Sequence, residues 1–465
     1  MVKKNDQVVV TIEDIGSDGE GIGKHEGYTL FIKNTVVGDK VLAKVMKSGK
    51  SYGYARLVEL IESSPFRVSP RCPIADKCGG CQLMHMDYAK QLEYKESKVR
   101  SCLTRIGGFK DIPMEPICGM DQPYYYRNKS QFPVGRNKDG RITIGFYAGR
   151  THSIIDTEHC YIGAEVNVKI IQFFRGFLEK YGIEPYEEET HKGLLRHILT
   201  RVGFHTGEVM VCLVINGSDF PHREELVKGL LQIPGMKSIC LNRNTAKTNV
   251  ILGDKVIPVW GEPYITDFIG PIMYRISPLS FYQVNPEQTK RLYDITLDYA
   301  GLKGSEVVWD LYCGIGTISL FLAQRAKKVY GVEIIPEAIE DAKKNAELNE
   351  ISNAEFYVGA AEEVLPRKYR EEKIEADIIV VDPPRKGCDQ SLLDTILAMA
   401  PKKVVYVSCD PATLARDLKY LCERDYELVK VRPVDQFGHS VHVETVCLLS
   451  RRGFVLLFTK NKVGT

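Results

Sequence analysis

The chain has 465 residues, a formal net charge of +2 and 44% hydrophobic residues. This length suits about three domains, and the hydrophobic content is ordinary for a globular protein. Because the charges nearly balance, the composition excludes a chain that is basic throughout, and any surface for a polyanion must be local. Three clusters of Lys and Arg with interleaved aromatic or His residues are candidates, although a solvated face is the simpler interpretation of each: residues 44–56, 127–150 and 192–201.

The start of the chain, M-V-K-K-N-D, is followed only by a short apolar run and then by acidic residues, which does not match a signal peptide. No apolar run in the sequence is long enough to cross a bilayer. The thirteen cysteines favour a reducing compartment, where thiols serve metal binding or catalysis. We therefore expect a cytoplasmic protein without a membrane contact, and the sequence indicates no obligate protein partner.

The first 61 residues follow an alternating pattern typical of short strands. Segments of β-branched and aliphatic residues are separated by glycine turns at Gly16, Gly19, Gly21, Gly23 and Gly38. Short strands separated in this way are typical of a small β-barrel. We therefore predict a barrel domain over residues 1–61.

Three cysteines lie close together soon after the predicted barrel. They read C-x5-C-G-G-C (Cys72, Cys78 and Cys81), and Cys160 follows much further along the chain. A C-x2-C pair around glycines lets turns direct successive thiolates at one centre, which indicates a metal site. Spacing alone does not separate zinc from a four-iron cluster, and unrelated cysteines are the simpler alternative. His85 is an alternative fourth ligand in place of Cys160.

The middle of the chain combines one helical segment with many β segments. Residues 88–106 have helical spacing with charges on one side, and two glycines end the helix. Residues 120–272 carry alternating β segments, interrupted by one helix over residues 167–181. We predict a central α+β domain made of residues 62–87 and 120–272, which carries the cysteines.

From Pro286 onwards strands alternate with helices, a pattern typical of a mainly parallel, doubly wound α/β sheet. The turn after its first predicted strand contains Gly314 and Gly316, and Glu333 stands at the tip of the second strand. An acid there can accept hydrogen bonds from both ribose hydroxyls of a nucleoside. The turn has too few glycines for a dinucleotide fingerprint and no P-loop lysine. We therefore predict an S-adenosylmethionine site rather than a nicotinamide or flavin site, with a purely structural turn as the alternative.

Cys409 stands at the exit of another predicted strand, because residues 404–407 are β-branched or aromatic and Pro411 begins a segment of helical composition. Open α/β sheets place reactive groups beyond the carboxyl ends of their strands. A following helix N-terminus favours a thiolate, so we expect a lowered thiol pKa at Cys409. The simpler interpretation of a single cysteine is a small buried hydrophobic residue.

Asp382, Pro383 and Pro384 end a further predicted strand, a corner found both in enzymes that methylate amines and in enzymes that methylate carbon. Cys409 favours carbon, since C5 of a pyrimidine becomes nucleophilic only after a thiolate adds to C6. A base must then remove the C5 proton before the thiolate leaves. Glu444 is a carboxylate available for that step, although a surface glutamate is the simpler interpretation.

Several motifs together resemble the RNA (uracil-5-)-methyltransferases, specifically the TRAM-containing, iron-sulfur branch that modifies 23S ribosomal RNA. The resemblance spans nearly the whole chain. It rests on I-x-x-x-G-x-G-I-G-K, V-V-G-D-K-V and A-R-L-V-E-L in the barrel, on the cysteine quartet, and on S-F-Y-Q-V-N, D-L-Y-C-G-I-G-T, V-D-P-P-R-K-G, S-C-D-P-A-T-L-A-R-D and H-V-E-T-V.

This resemblance implies an S-adenosylmethionine-dependent enzyme that methylates C5 of a uridine in 23S rRNA or, as an alternative, in tRNA. It implies Cys409 as the nucleophile and Glu444 as the proton acceptor. The implied S-adenosylmethionine contacts are Gln283, Tyr312, Glu333 and Asp382. The implied ligands of a [4Fe-4S] cluster are Cys72, Cys78, Cys81 and Cys160.

The resemblance also assigns RNA binding to the barrel. It assigns residues 88–119 and 273–465 to a Rossmann-like methyltransferase domain. It further implies that the helix of residues 88–106 packs onto that domain. The chain departs from the family in one segment. The family often carries D-x-F-P before the base, and this chain reads D-Q-F-G-H-S over residues 435–440. We expect this loop to touch the target nucleotide.

Two other functions remain open. A 5-methylcytidine methyltransferase generally carries a second cysteine after the Asp-Pro pair, where this chain has Pro384 and Arg385. A non-catalytic RNA-binding or assembly factor would use the barrel and the cysteine domain, and it would not bind S-adenosylmethionine.

Overall fold

The computed structural model describes residues 2–149 and 151–454. Arg150, the last residue of one predicted basic cluster, and residues 455–465 of the predicted catalytic domain lie outside the described residues. Within the described chain, no helix combines the length and the apolar character needed to span a bilayer.

Five strands close the predicted N-terminal barrel, in the order β1-β2-β3-β5-β4. Alternate residues of these strands point inwards, so that Val10, Ile12 and Leu30 are almost fully buried while their neighbours in sequence face outwards. The strands are β1 (Gln7–Ile15), β2 (Gly21–His25), β3 (Tyr28–Ile32), β4 (Lys40–Ser48) and β5 (Tyr52–Glu62).

Helix α1 (Tyr88–Arg105) begins at Asp87, whose carboxylate accepts hydrogen bonds from the first-turn backbone amides of Ala89 and Lys90. The buried side chains of Val99 and Leu103 join the core of the C-terminal domain. The helix therefore packs on a domain that follows it by more than 150 residues.

A mixed sheet of seven strands forms the central region, in the order β12-β11-β10-β9-β6-β7-β8. The strands are β6 (Lys129–Arg136), β7 (Ile142–Tyr147), β8 (Ile154–Asp156), β9 (Leu195–Val202), β10 (Val209–Ile215), β11 (Met236–Arg243) and β12 (Lys255–Gly261). Two helices pack against this sheet, α2 (Asn167–Tyr181) and α3 (Arg223–Leu230). Our prediction of one helix in this region was wrong, because the eight-residue α3 is too short for a clear periodic pattern.

The C-terminal domain is the predicted doubly wound sheet, preceded by a hairpin of β13 (Ile265–Ile269) and β14 (Ile272–Ile276). Its seven strands are ordered β17-β16-β15-β18-β19-β21-β20, and β21 is antiparallel to both of its neighbours. The elements are α4 (Pro286–Ala300), β15 (Val307–Leu311), α5 (Thr317–Ala323), β16 (Lys328–Glu333), α6 (Pro336–Leu348), β17 (Ala354–Val358), α7 (Ala361–Glu372), β18 (Ile378–Val381), α8 (Gln390–Met399), β19 (Lys403–Ser408), α9 (Pro411–Cys422), β20 (Tyr426–Val434) and β21 (Glu444–Arg451).

Both faces of this sheet are buried. Val380 of β18 belongs to one hydrophobic core, and its neighbour Val381 belongs to the core on the opposite face. Helices therefore cover both faces, and the carboxyl ends of the parallel strands form the accessible edge at which ligands bind in such sheets.

Candidate active site

A cavity of about 1670 Å³ opens at the carboxyl edge of the C-terminal sheet. Its wall contains every predicted catalytic and cofactor residue: Gln283, Tyr312, Glu333, Asp382, Cys409 and Glu444. The central region adds Tyr126 and Arg127, and the cysteine segment adds Gly79, Gly80 and Gln82. Residues separated by up to 365 positions in the sequence thus meet in one cavity.

The pairing of β19 with β21 brings Cys409 and Glu444 together. Ser408 pairs with Thr445 in this antiparallel ladder. Continuing the register by one residue sets Cys409 opposite Glu444, where neighbouring residues of antiparallel strands are in reach of each other. The Cys409 side chain is half-buried and Glu444 is 5% exposed, so both face the cavity rather than bulk solvent.

The Glu444 carboxyl is harder to ionise than an ordinary glutamate. Burial, and secondarily the charge of Asp382, raise its pKa to about 8, while the Arg385 guanidinium opposes this shift. A carboxylate with a pKa near the working pH of an enzyme is suited to accept a proton and release it again.

The Cys409 thiol has a pKa raised to about 12, so the expected lowering was wrong. Burial is the main cause, and the Glu444 and Asp382 carboxylates add to it. The helix N-terminus does not compensate, because Asp410 caps α9 and its Oδ1 accepts hydrogen bonds from the Ala412 and Thr413 amides. The positive end of the helix dipole is therefore neutralised by the Asp410 carboxylate. The negative charge of this carboxylate, next to the thiol, also disfavours the thiolate.

This electrostatic environment predicts slow alkylation of Cys409 in the free protein. Between pH 6 and 9 the thiolate fraction rises tenfold per pH unit, because the pKa of about 12 lies above the whole window. Iodoacetamide labelling followed by peptide mass spectrometry should show this slope at Cys409. A labelling rate that is fast at pH 7 and levels off there would contradict the raised pKa.

Glu333 is held at the cavity by two backbone amides. Its Oε2 accepts from Gly314 at 3.2 Å and its Oε1 accepts from Ile335 at 3.1 Å, which fixes the carboxylate at the tip of β16. Gly314 has a φ of 54° and Gly316 a φ of 81°, a backbone region that favours glycine. The predicted turn and acid are therefore in contact, and the turn leaves backbone accessible to a ligand.

The other three cofactor candidates are positioned by different parts of the chain. The Tyr312 hydroxyl donates to Glu362 at 2.7 Å. The backbone carbonyl of Gln283 accepts a hydrogen bond of 2.9 Å from Asn128 of the central region. Burial raises the pKa of Asp382, which directly follows β18, to about 7.

Two arginines at the site were missed by the sequence analysis. Arg385 lines the cavity and opposes the negative charge around Cys409 and Glu444. Its position directly after Asp382, Pro383 and Pro384 is the sequence signal that could have identified Arg385 as a site residue. Arg201 of β9 is fully buried and donates to the backbone carbonyls of Pro278 and Ser280, which orders the segment before Gln283. The sequence analysis placed Arg201 in a candidate surface cluster, residues 192–201, and the structure instead buries it.

Cys409 is the one cysteine among the described residues that lines the cavity. Cys388, the next cysteine after Asp382, is buried and donates to the Tyr406 hydroxyl at 3.6 Å. Among the described residues the cavity therefore offers one thiol, whereas a 5-methylcytidine mechanism with a second cysteine after the Asp-Pro pair needs two.

Comparison with known proteins agrees with this geometry. The structure is similar to the crystal structure of Pyrococcus abyssi tRNA (uracil-54, C5)-methyltransferase in complex with S-adenosyl-L-homocysteine, with a TM-score of 0.77 and 29% identity over 95% of this chain and 100% of that one. The tRNA (Uracil-5-)-methyltransferase family model matches residues 269–452, and the TRAM domain model matches residues 2–58. The chain belongs to the tRNA (uracil-5-)-methyltransferase family.

Full-length relatives support the same assignment. An RNA methyltransferase of Bacillus cereus, described as uncharacterized, is 52% identical over 97% of this chain and 98% of its own length. A second one, from Halalkalibacterium halodurans, is 53% identical over 96% of this chain and 98% of its own length. The protein is thus an S-adenosylmethionine-dependent RNA methyltransferase whose barrel is a TRAM domain.

The methyltransferase brings its four predicted metal ligands into one neighbourhood. Burial and then the charges of Cys160, Cys78 and Cys72 raise the pKa of Cys81. All four thiols are free, and the Gly80 amide donates to the Cys78 sulfur at 3.4 Å. Within the described residues, no group of three or more His, Cys, Asp or Glu side chains has the geometry to hold a metal ion.

The alternative ligand His85 is not part of this neighbourhood. Its Nε2 lies 3.2 Å from the Thr35 carbonyl oxygen of the barrel, and burial lowers its pKa to about 4. The structure therefore corrects the suggestion that His85 replaces Cys160. This histidine instead joins the barrel to the cysteine segment.

The segment of residues 435–440, where the chain departs from the family pattern, is anchored by a buried ion pair. Lys95 of α1 lies 2.5 Å from Asp435, and both side chains are fully buried. The Tyr88 hydroxyl also donates to Asp435, at 2.7 Å. Beyond this anchor, Phe437 and Ser440 line the cavity. Helix α1 thus fixes one wall of the site.

Proposed function

We propose that this protein methylates C5 of a uridine in structured RNA through a transient bond between the Cys409 sulfur and C6 of the base. The observation that carries the proposal is the closeness of Cys409 and Glu444 at the adjoining ends of β19 and β21, inside the cavity that also holds the cofactor candidates. A thiol and a carboxylate in this arrangement match the two needs of C5 methylation, a nucleophile and a proton acceptor.

The order of events follows from the chemistry of uracil. The target base leaves its stack to enter the cavity. The Cys409 thiol loses its proton to solvent and its thiolate adds to C6, while the electron pair of the C5–C6 double bond moves onto C5 and O4 as an enolate. S-adenosylmethionine, when bound, would supply the methyl group that C5 takes up, and S-adenosylhomocysteine would be the leaving group. Glu444 then removes the C5 proton, the double bond re-forms and the Cys409 thiolate is expelled.

The proposed contacts with S-adenosylmethionine are supported by the positions of four residues in the cavity wall: Gln283, Tyr312, Glu333 and Asp382. The fixed Glu333 carboxylate retains lone pairs for ribose hydroxyls, because each of its oxygens accepts only one backbone bond. Gln283 and Asp382 line the same cavity from different segments. We infer that these residues hold the cofactor between Glu333 and Cys409.

We also infer that Cys72, Cys78, Cys81 and Cys160 hold a [4Fe-4S] cluster, with zinc as the less favoured alternative. Four mutually close, free thiols with amide donors form a suitable donor set. A cubane binds each thiolate on a different iron and so spaces its ligands more widely than a single ion does. The cluster would cross-link the segment that delivers Gly79, Gly80 and Gln82 to the cavity.

The cluster assignment predicts a visible chromophore. Anaerobically purified protein should absorb near ~400 nm and contain about four iron and four sulfide per chain. Cys78→Ser should lose the absorbance and most of the iron. Cys102→Ser, which changes a half-buried cysteine of α1, is the matched control and should keep both. A colourless wild-type protein with one zinc would overturn the assignment.

The target RNA is proposed from two different observations. The TRAM domain together with the cysteine quartet resembles the branch that modifies 23S rRNA, and we propose that RNA as the substrate. The similarity to Pyrococcus abyssi tRNA (uracil-54, C5)-methyltransferase favours tRNA as the second candidate.

Mapping 5-methyluridine in total RNA tests this proposal. We expect a uridine of 23S rRNA to be methylated in cells with the intact gene, unmethylated after its deletion, and methylated again by the purified protein. Loss of methylation in tRNA alone would select the second candidate. New 5-methylcytidine with no change in 5-methyluridine would contradict the proposed reaction.

A further inference from the structure

One face of helix α1 holds the segment of residues 435–441, which we call the pocket loop. Four polar side chains of α1 lie on this face, because they are three or four positions apart, and each forms a hydrogen bond with the loop. The pairs are Tyr88 with Asp435, Gln91 with His439, Lys95 with both Asp435 and Phe437, and Lys98 with Val441. Gln91 and Lys95 are fully buried. The helix thus directs its buried polar side chains at one loop.

The backbone of the pocket loop is fixed from several sides. Each of its first five carbonyl groups, in residues 435–439, accepts a hydrogen bond from a distant part of the chain. The donors, in order, are the side chains of Gln288, Asn285, Lys95 and Tyr126 and the backbone amide of Leu83. Gly438 stands where the D-x-F-P pattern has proline, so the chain itself restricts the loop least at this point. The shape of the loop therefore depends on these hydrogen bonds.

Phe437 is the residue that the pocket loop presents to the active site. It is half-buried, whereas all its neighbours within residues 433–441 are buried, and it lines the cavity. Its ring centroid lies 6.2 Å from that of His442, in an edge-to-face arrangement, and His442 lines the same cavity. An aromatic ring beside the proposed catalytic residues offers a planar surface to a base that has left its stack.

We propose that the Phe437 ring packs against the target base, and that Lys95 is a positioning residue that holds this ring in place for the attack by Cys409. Lys95 does not line the cavity; its ammonium lies 2.5 Å from the Asp435 carboxylate and donates to the Phe437 carbonyl at 2.9 Å. It therefore acts on the base only through the loop. A displaced ring would displace the base, and reacting atoms must be held about 3–3.5 Å apart for efficient attack. This inference rests on the proposed function, since it takes an unstacked base to enter the cavity.

The test measures single-turnover transfer of labelled methyl from S-adenosylmethionine to total RNA from cells that lack the gene. The ion-pair variant, Lys95→Met/Asp435→Asn, removes both buried charges at similar volume and leaves an amide oxygen for the Tyr88 hydroxyl, so the fold should persist. Its rate at saturating RNA should fall about tenfold to a hundredfold, while calorimetric S-adenosylmethionine affinity stays at the wild-type value. Lys90→Met, which changes a lysine of the same helix that pairs with exposed Glu93, is the matched control and should keep the wild-type rate.

A further substitution separates positioning from a purely structural role of the ion pair. Phe437→Ala removes the ring from the cavity and should lower the same rate by a similar factor. Because Lys95 acts through this ring, the variant that combines all three substitutions should be no slower than Phe437→Ala alone. Additive losses would overturn the proposal. So would a wild-type rate of Phe437→Ala, a result that does not depend on the folding of the ion-pair variant.

These outcomes are distinguishable from a failure of the proposed function. The label reports methyl transfer to any base of the RNA. A product other than 5-methyluridine, with rates that follow the expected pattern, would overturn the proposed function and support the positioning role. Formation of 5-methyluridine by the ion-pair variant at the wild-type rate would overturn only the positioning role.

Discussion

Cys409→Ala is expected to lower the rate of methyl transfer to RNA by at least ~10⁴-fold, as the loss of a catalytic nucleophile does. Without the thiol no bond to C6 can form, and C5 of uracil stays too poor a nucleophile to accept the methyl group. The measurement is transfer of labelled methyl from S-adenosylmethionine to RNA under single-turnover conditions. Binding of S-adenosylmethionine should remain, since Glu333 ends β16 and its backbone contacts lie in the turns after β15 and β16, away from Cys409.

Cys422→Ala is the matched control for this substitution. Cys422 ends α9, the helix that follows Cys409, and it does not line the cavity. Its variant should retain wild-type turnover. Methylation by Cys409→Ala at a rate near that of the control would remove the thiol from the mechanism.

Glu444→Gln is expected to stop the reaction after methylation. The glutamine cannot accept the C5 proton, so the methylated base stays attached to Cys409 and turnover falls by about 10²–10⁴-fold. A protein–RNA adduct that resists denaturation should therefore accumulate on gels. The addition of Cys409 to C6 and the methyl transfer to C5 do not require this carboxylate. S-adenosylmethionine binding does not require it either.

The raised pKa of Glu444 also predicts that turnover depends on pH. The carboxyl is protonated below its pKa of about 8, and only its ionised form is a base. Turnover of the wild type should therefore rise with pH between 6 and 8, and the small residual turnover of Glu444→Gln should lose this component. Glu427→Gln, an exposed glutamate on neighbouring β20, is the control and should keep the wild-type profile. Normal turnover by Glu444→Gln would exclude the carboxylate as the proton acceptor.

The sequence predicted the parts of the site that depend on local patterns. The glycine turn at Gly314, the acid at Glu333 and the strand exit before Cys409 each follow from a few adjacent residues, and the structure brings all of them to one edge. The barrel and the doubly wound sheet were predicted from the alternation of apolar residues, because burial on one face or on two imposes that period.

The remaining features depend on contacts between distant segments, which local patterns do not encode. The pKa of Cys409 was expected to be lowered, since its helix was visible in the sequence but the opposing Glu444 and Asp382 were not. His85 was a possible metal ligand by spacing, but the barrel carbonyl of Thr35 holds it. The buried pair of Lys95 and Asp435 joins segments 340 residues apart and likewise left no local signal.

The most direct test of the proposed reaction is mass spectrometry of the protein after incubation with S-adenosylmethionine and an RNA that carries 5-fluorouridine at the target. Fluorine at C5 cannot leave as a proton does, so the reaction should stop with the methylated nucleotide bound to the enzyme. We predict a peptide that contains Cys409 and carries both the nucleotide and one methyl group. Methylated 5-fluorouridine free of protein, or an adduct on a residue other than Cys409, would contradict the account.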